Sequence, residues 1–346
     1  SFQVDKNNVI SIENDILKEK LNFENSVILL FDVDNDNDLD LYVGSGSVEL
    51  SKYSEKLYDR IYINNGKGEF SLSDQKLPDV DHKISTGTAS FADIDKDGDL
   101  DIFIGERLKI NNYGLPSSGF LLVNDGKGNF SNQTLKISPE LIEIGMITDS
   151  KFSDIDNDGD MDLVVVGEYM GIEIFKNDDG YFSRVKSDLI ELKGWWNTVQ
   201  IEDLNNDGLD DLIIGNHGLN SRFEASKSNP IKLYHSDFDN NGFAEAIVCF
   251  TSKDGKEYPY SLRHDLIDQI KTLKKTFPNY NSFKNLDIKK IINKKALSKS
   301  ILSEVNYLET SILINEGNFN FRKIKIPKSV QFSPIYAIET YDFDYD

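Results

Sequence analysis

Nine residues, Asp32–Asp40, carry aspartate at every alternate position. Carboxylates packed that closely repel one another, so the stretch makes chemical sense around a cation. The spacing returns as DIDKDGDLD at 93–101, DIDNDGDMD at 154–162, DLNNDGLDD at 203–211 and DFDNNGFAE at 237–245. The shared pattern is D-x-D-x-D-G-x-x-D. Side-chain oxygens at positions 1, 3, 5 and 9, with a main-chain carbonyl at 7, can wrap one hard cation, and calcium accepts six to eight such oxygens in a flexible cage. An Asx turn without metal accounts for one such stretch, but poorly for five in register.

The ligand sets follow by position. The first loop offers Asp32, Asp34, Asp36 and Asp40, and the second Asp93, Asp95, Asp97 and Asp101. The third offers Asp154, Asp156, Asp158 and Asp162, and the fourth Asp203, Asn205, Asp207 and Asp211. The fifth offers Asp237, Asp239, Asn241 and Glu245; with the least charge, it is expected to bind most weakly. Glycine at position 6 permits the reversal that folds the ligands inward. Asn37 stands there in the first loop and tolerates the same left-handed backbone. An EF-hand would need a bidentate Glu at position 12. That position holds Val43, Ile104, Val165, Ile214 and Val248, so the loops join strands instead.

A second repeat accompanies the first. RIYINNGKGEF (60–70), GFLLVNDGKGNF (119–130), IEIFKNDDGYF (172–182) and SILINEGNFNF (311–321) each read as strand, Asn/Gly turn, strand. The unit is therefore strand, acidic loop, strand, connection, strand, turn, strand. Repeated four-stranded antiparallel units of this kind predict an all-β chain of propeller blades.

Composition agrees. The chain has 346 residues and a net charge of −21, with 38 basic against 59 acidic residues. The acid excess sits in the loops, and outside them the charges nearly balance. No basic stripe marks a nucleic-acid partner, and no apolar run reaches the ~20 residues of a membrane span. The single cysteine, Cys249, lies in an apolar run and reads as a buried small hydrophobe.

The loops DKDGDLD and DNDGDMD resemble the FG-GAP/VCBS repeats of the integrin α-subunit propeller and of many secreted bacterial proteins. GMITD, GEYM, GWWN and GNHGLN further resemble a bacterial VCBS group, some members of which carry an ASPIC/UnbV domain. The resemblance implies one calcium-bound β-propeller over residues 1–346, extracellular, periplasmic or on the outer cell surface. The first aspartate of a sixth copy is Asp342, so the reading is of a truncated propeller with six or seven blades when intact. The 34-residue step between the fourth and fifth loops is too short for a blade, and the 105-residue step after the fifth holds an insertion. Leu262, Leu266, Ile270, Leu273 and Phe277 recur at helical spacing, with Ile288, Ile291 and Ile292 in a second helix, which places a helical insertion at 262–305.

Strand direction places the acidic loops and Gly turns at one end and the unusual residues at the other. Arg107, Glu168, Tyr169, Trp196, Asn197, His217 and Asn220 are predicted to share that far end, flanked by the insertion. Trp196 is the expected apolar platform, with Arg107 and Asn220 as polar anchors, for a glycan or protein ligand. The alternative is a carbohydrate-active enzyme using Glu106 or Glu168. The four histidines show no zinc spacing, and no G-x-S-x-G nucleophile appears.

Overall fold

The structure, a computed structural model, describes residues 24–343 together with the backbone of a hairpin, β1 (Phe2–Asp5) and β2 (Asn8–Ser11). The sixth acidic copy beyond Phe343 lies outside the described residues.

Each acidic loop is followed by an apolar run that becomes the second strand of an antiparallel sheet. Sheet one is β3 (Asn25–Phe31), β4 (Asp40–Ser45), β5 (Arg60–Asn64) and β6 (Phe70–Leu72). Sheet two is β7 (Ser85–Ala92), β8 (Asp101–Leu108), β9 (Gly119–Asn124) and β10 (Phe130–Asn132). Sheet three is β11 (Met146–Ser153), β12 (Asp162–Met170), β13 (Glu173–Asp178) and β14 (Tyr181–Arg184), with β15 (Gly194–Trp195) pairing the far end of β12.

The second strands are nearly all apolar because both of their faces are buried. Along β8, Ile102 and Ile104 pack on Phe31, Tyr42 and Ile61 of sheet one, while Phe103 between them packs on Leu163, Val165 and Phe175 of sheet three. A strand's period of two sends successive side chains to opposite neighbours. The first strands β3, β7 and β11 lie side by side in that order.

Sheet four departs from the simple repeat. It starts with β16 (Thr198–Glu202), beside β11, and β17 (Asp211–Gly215). Its third strand is β22 (Ser311–Asn315), with Leu212 opposite Leu313, and its fourth is β23 (Phe321–Ile324). The hairpin at 311–321 therefore completes sheet four. Residues 216–310 form one excursion from that sheet, much longer than the expected 262–305. It begins with a sheet of its own, made of β18 (Ile231–Ser236), β19 (Glu245–Thr251), β20 (Glu257–Pro259) and β21 (Ile301–Val305), and the fifth acidic loop is its β18–β19 turn.

The helices of the excursion are short. The first runs Arg263–Gln269 and the next Leu273–Thr276, so the predicted continuous helix breaks around Ile270, and Leu262 is left exposed at its start. Leu266, Ile270, Leu273, Phe277, Ile288 and Ile291 still share one core with Tyr234, Ile247 and Cys249. The helices thus cover one face of the inserted sheet. Its other face sets Ile231, Val305 and Leu308 against Tyr169 and Trp195.

Beyond β23, Ser333–Tyr341 runs past the edge of sheet four. The Ile335 amide donates to the Asn216 carbonyl (3.1 Å), and a Cβ on Gly215 would meet the Ile335 oxygen at 2.6 Å, so only glycine fits there. No helix among the described residues is long and apolar enough to cross a membrane.

Candidate metal loops and the opposite end

The loops are built by their own aspartates. The position-1 carboxylate caps the turn: Asp154 accepts from the amides of Asp158 (3.0 Å) and Gly159 (2.9 Å), and Asp203 and Asp237 do the same in their loops. Position 6 is left-handed in every loop, with φ of 69° at Asn37 and 86–93° at the glycines. Position 4 is left-handed too, at Asn35, Lys96, Asn157, Asn206 and Asn240.

Position 9 is the first residue of the second strand, and in loops one to four it is essentially fully buried. Asp101 accepts from the Ile94 amide (3.2 Å) inside its loop and from the Asn124 amide (2.8 Å) on β9. Asp40, Asp162 and Asp211 repeat this with Asn64, Asn177 and Asn315. Burial, only partly offset by these amides, pushes Asp101 and Asp162 up to about 7.

Those asparagines were not anticipated as functional, although each stands before the turn of the second repeat. The Asn124 Nδ2 donates to the Val33 carbonyl (2.8 Å) in the loop of the preceding sheet. Asn177 reaches Ile94 (2.8 Å) and Asn315 reaches Ile155 (2.9 Å) in the same way. These three asparagines latch their sheets to the acidic loop before them, whereas the Asn64 Nδ2 donates to the Leu39 carbonyl of its own loop (3.1 Å). Asn124→Ala leaves the Val33 carbonyl without this donor, and is expected to lower unfolding free energy by about 1–3 kcal/mol. Denaturant titration in saturating calcium measures it; a change within error denies the latch its role.

The loops could hold a metal. Carboxylate oxygens lie within 4.8 Å of one another in Asp32–Asp34–Asp36, Asp93–Asp95–Asp101, Asp154–Asp156–Asp162 and Asp237–Asp239–Glu245. In all four loops the position-3 aspartate, Asp34, Asp95, Asp156 or Asp239, keeps a buried Oδ1 with no hydrogen-bond partner. Burial and the neighbouring aspartates hold Asp34 and Asp95 above the usual carboxylate range. A buried carboxylate oxygen without a donor is costly, and an oxygen-only set of this kind suits a hard cation. Loop four differs: the Asn205 amide group donates to Asp207 (2.9 Å) and its oxygen accepts the Asp207 amide (3.0 Å), so the loop satisfies itself. Loop four thus has no buried, unpartnered oxygen at position 3, unlike the other four loops.

The turns between third and fourth strands lie beside the loops, as the Asp179 amide does beside Asp160 (3.2 Å). Loop five is elsewhere. Asn241, Phe243 and Glu245 share a cavity of about 550 Å3 with Leu108, the last residue of β8, and with Asn112 and Tyr113 beyond it, at the end remote from loop two. Loop five thus lies beside the end of β8 that is remote from loop two, so one end opposite every acidic loop is not what the structure has.

At this far end Arg107 pairs with Glu168 (2.6 Å), which also accepts from the Tyr113 hydroxyl (2.7 Å). Tyr113, Tyr169, Trp195 and His217 follow as edge-to-face rings at 5.2–6.3 Å, and Phe223 stands 4.9 Å from Trp195. His217 also meets Ser221 (2.9 Å), and burial lowers its pKa. Much of this cluster is the seam on which the inserted sheet rests, through Tyr169, Trp195 and Phe223. Asn220 is exposed and donates to the Phe332 carbonyl (3.3 Å), and the half-buried Asn197 ties its backbone amide to Gly215 (2.9 Å).

Trp196 is not a platform. It is fully buried among Val164, Val166, Ile174 and Leu212 between sheets three and four, and its indole donates to the Leu192 carbonyl (3.0 Å). Trp195 is the one that faces the far end, where it packs in the seam under the inserted sheet. Glu168 is committed to Arg107 and Tyr113, while buried Glu106 accepts from the Ser118 amide (3.2 Å).

No curated protein matches the chain. A family model of the FG-GAP-like repeat matches residues 28–104 and 154–214, which enclose loops one to four and exclude loop five. The chain therefore carries FG-GAP-like repeats at 28–104 and 154–214, and its inserted sheet lies outside the matched residues.

Proposed function

We propose that the sheets are blades of a β-propeller whose acidic loops bind calcium, and that the protein serves outside the cytoplasm as a binding module for a glycan or a protein partner. The observation that carries this reading is the unpartnered, buried Oδ1 on Asp34, Asp95, Asp156 and Asp239. Calcium bound there would rigidify the loop end. Recognition then falls to the far end, where Val48, Tyr113 and Phe243 leave apolar surface around the cavity beside loop five. Aromatic surface beside amide groups such as Asn112 and Gln269 suits sugar rings or an extended peptide.

Calorimetric titration with calcium tests the metal half. At least two sites are expected in the wild type, and Asp34→Asn with Asp95→Asn should remove two; no binding at millimolar calcium overturns it. A glycan array tests the ligand half, with Phe243→Ala expected to abolish any signal and leave calcium binding intact.

A further inference from the structure

The third strand of each sheet brings one side chain beside its acidic loop, just before its asparagine. The residue is Ile63 in sheet one, Val123 in sheet two and Ile314 in sheet four. In sheet three it is Lys176. Its ammonium donates to Asp156 Oδ2 and to Asp158 Oδ2 (2.7 Å), which are positions 3 and 5 of loop three. The ammonium also stands 5.7 Å from the Phe319 ring of the neighbouring sheet. A second lysine, Lys96 at position 4 of loop two, pairs with Asp160 (2.5 Å) at position 7 of loop three. Loops one, two and five show no lysine on their clustered carboxylates among the described residues.

We propose that Lys176 is the resident counter-cation of loop three, which competes with divalent metal for Asp156 and Asp158 and makes this loop load after loops one and two. The inference rests on the calcium reading of the loops. It divides the molecule. Loop three is neutralised by lysine, loop four carries one carboxylate fewer because Asn205 holds position 3 and bonds Asp207, and the Asn157 side chain ties the two loops at the Gly208 carbonyl (2.6 Å). Sheets three and four then keep their loops closed without metal, while sheets one and two need it.

Calcium titration of the full chain, comparing the wild type with Lys176→Met, tests this. The variant keeps an apolar stem of similar length and loses the charge. Its loop three should bind calcium at least about tenfold more tightly, because affinity follows the net charge of the ligand set. Adding Asp154→Ala to Lys176→Met should abolish the gained site and no other. The melting temperature of Lys176→Met in chelator should fall, since Asp156 and Asp158 then lose their cation while Lys96 stays on Asp160. Lys176→Gln gives the same comparison if the methionine variant folds poorly. Calcium isotherms unchanged by both neutral variants overturn the proposal. Absence of calcium binding in wild type and variants alike overturns the calcium reading itself, and this proposal with it.

Discussion

Trp196→Ala should lower the unfolding free energy by about 3–5 kcal/mol, the range for removing a large buried aromatic side chain. The indole is fully buried between sheets three and four, and its loss empties the space between Val164, Val166, Ile174 and Leu212. The Leu192 carbonyl also loses its donor. Chemical denaturation in saturating calcium measures the effect, and calcium affinity at loops one and two should stay as it was. Trp195→Ala tests the seam. It should loosen the inserted sheet, read as faster amide exchange in β18 and β21, with a smaller loss of global stability. A Trp196→Ala change within 1 kcal/mol of wild type contradicts the burial.

Removing divalent cations should be the other large effect. A site held at a hundredfold excess over its dissociation constant contributes about 2.7 kcal/mol. Two such sites imply a fall in melting temperature of about 10–20 °C on chelation, at roughly 2–4 °C per kcal/mol for a chain of this size. The pH dependence has a definite sign. Burial raises Asp101 and Asp162 to about 7, Asp59 to about 6 and Glu106 to about 7, well above the ordinary carboxylate range. Folded values above the unfolded ones mean that the protonated forms favour the fold. That contribution is complete below about pH 4 and is lost as pH rises through 6 to 7. In chelator, the protein should therefore melt higher at pH 5 than at pH 8. With calcium the loop carboxylates must be deprotonated to bind, so their share of the slope reverses. The calcium-induced rise in melting temperature should then be larger at pH 8 than at pH 5. Equal rises at both pH values contradict the assignment.

The acidic loops could be read because five copies hold the same oxygen-bearing residues in one register. The reversal at position 6 was equally legible, since glycine and asparagine advertise it. Position 4 carries the same mark at Asn35, Asn157, Asn206 and Asn240, but Lys96 carries none and yet adopts the same left-handed backbone. The latch asparagines were visible but looked like turn residues; their amide groups act across sheets, on carbonyls 83 to 160 residues away. The two tryptophans fail for a different reason. Neighbours in extended chain face opposite ways, and the sequence does not say which of Trp195 and Trp196 faces inward. The excursion was misjudged because the pairing of Leu212 with Leu313 spans a whole inserted sheet.

That pairing also sets an order of assembly on the ribosome. β17 leaves the exit tunnel with one edge open, and the strand that closes it, β22, follows only after residues 216–310. At roughly 5–20 residues per second, the edge waits on the order of 5–20 s. An open edge is a template for the wrong strand. The inserted sheet must itself fold in that interval, and its two ends meet at Asn216, whose side chain donates to the carbonyls of Tyr307 and Glu309 while its amide donates to Thr310. Substitutions that slow the insert, at Leu266 or Ile288, should therefore reduce the yield of native chains made in cells more than they reduce the equilibrium stability of those already folded.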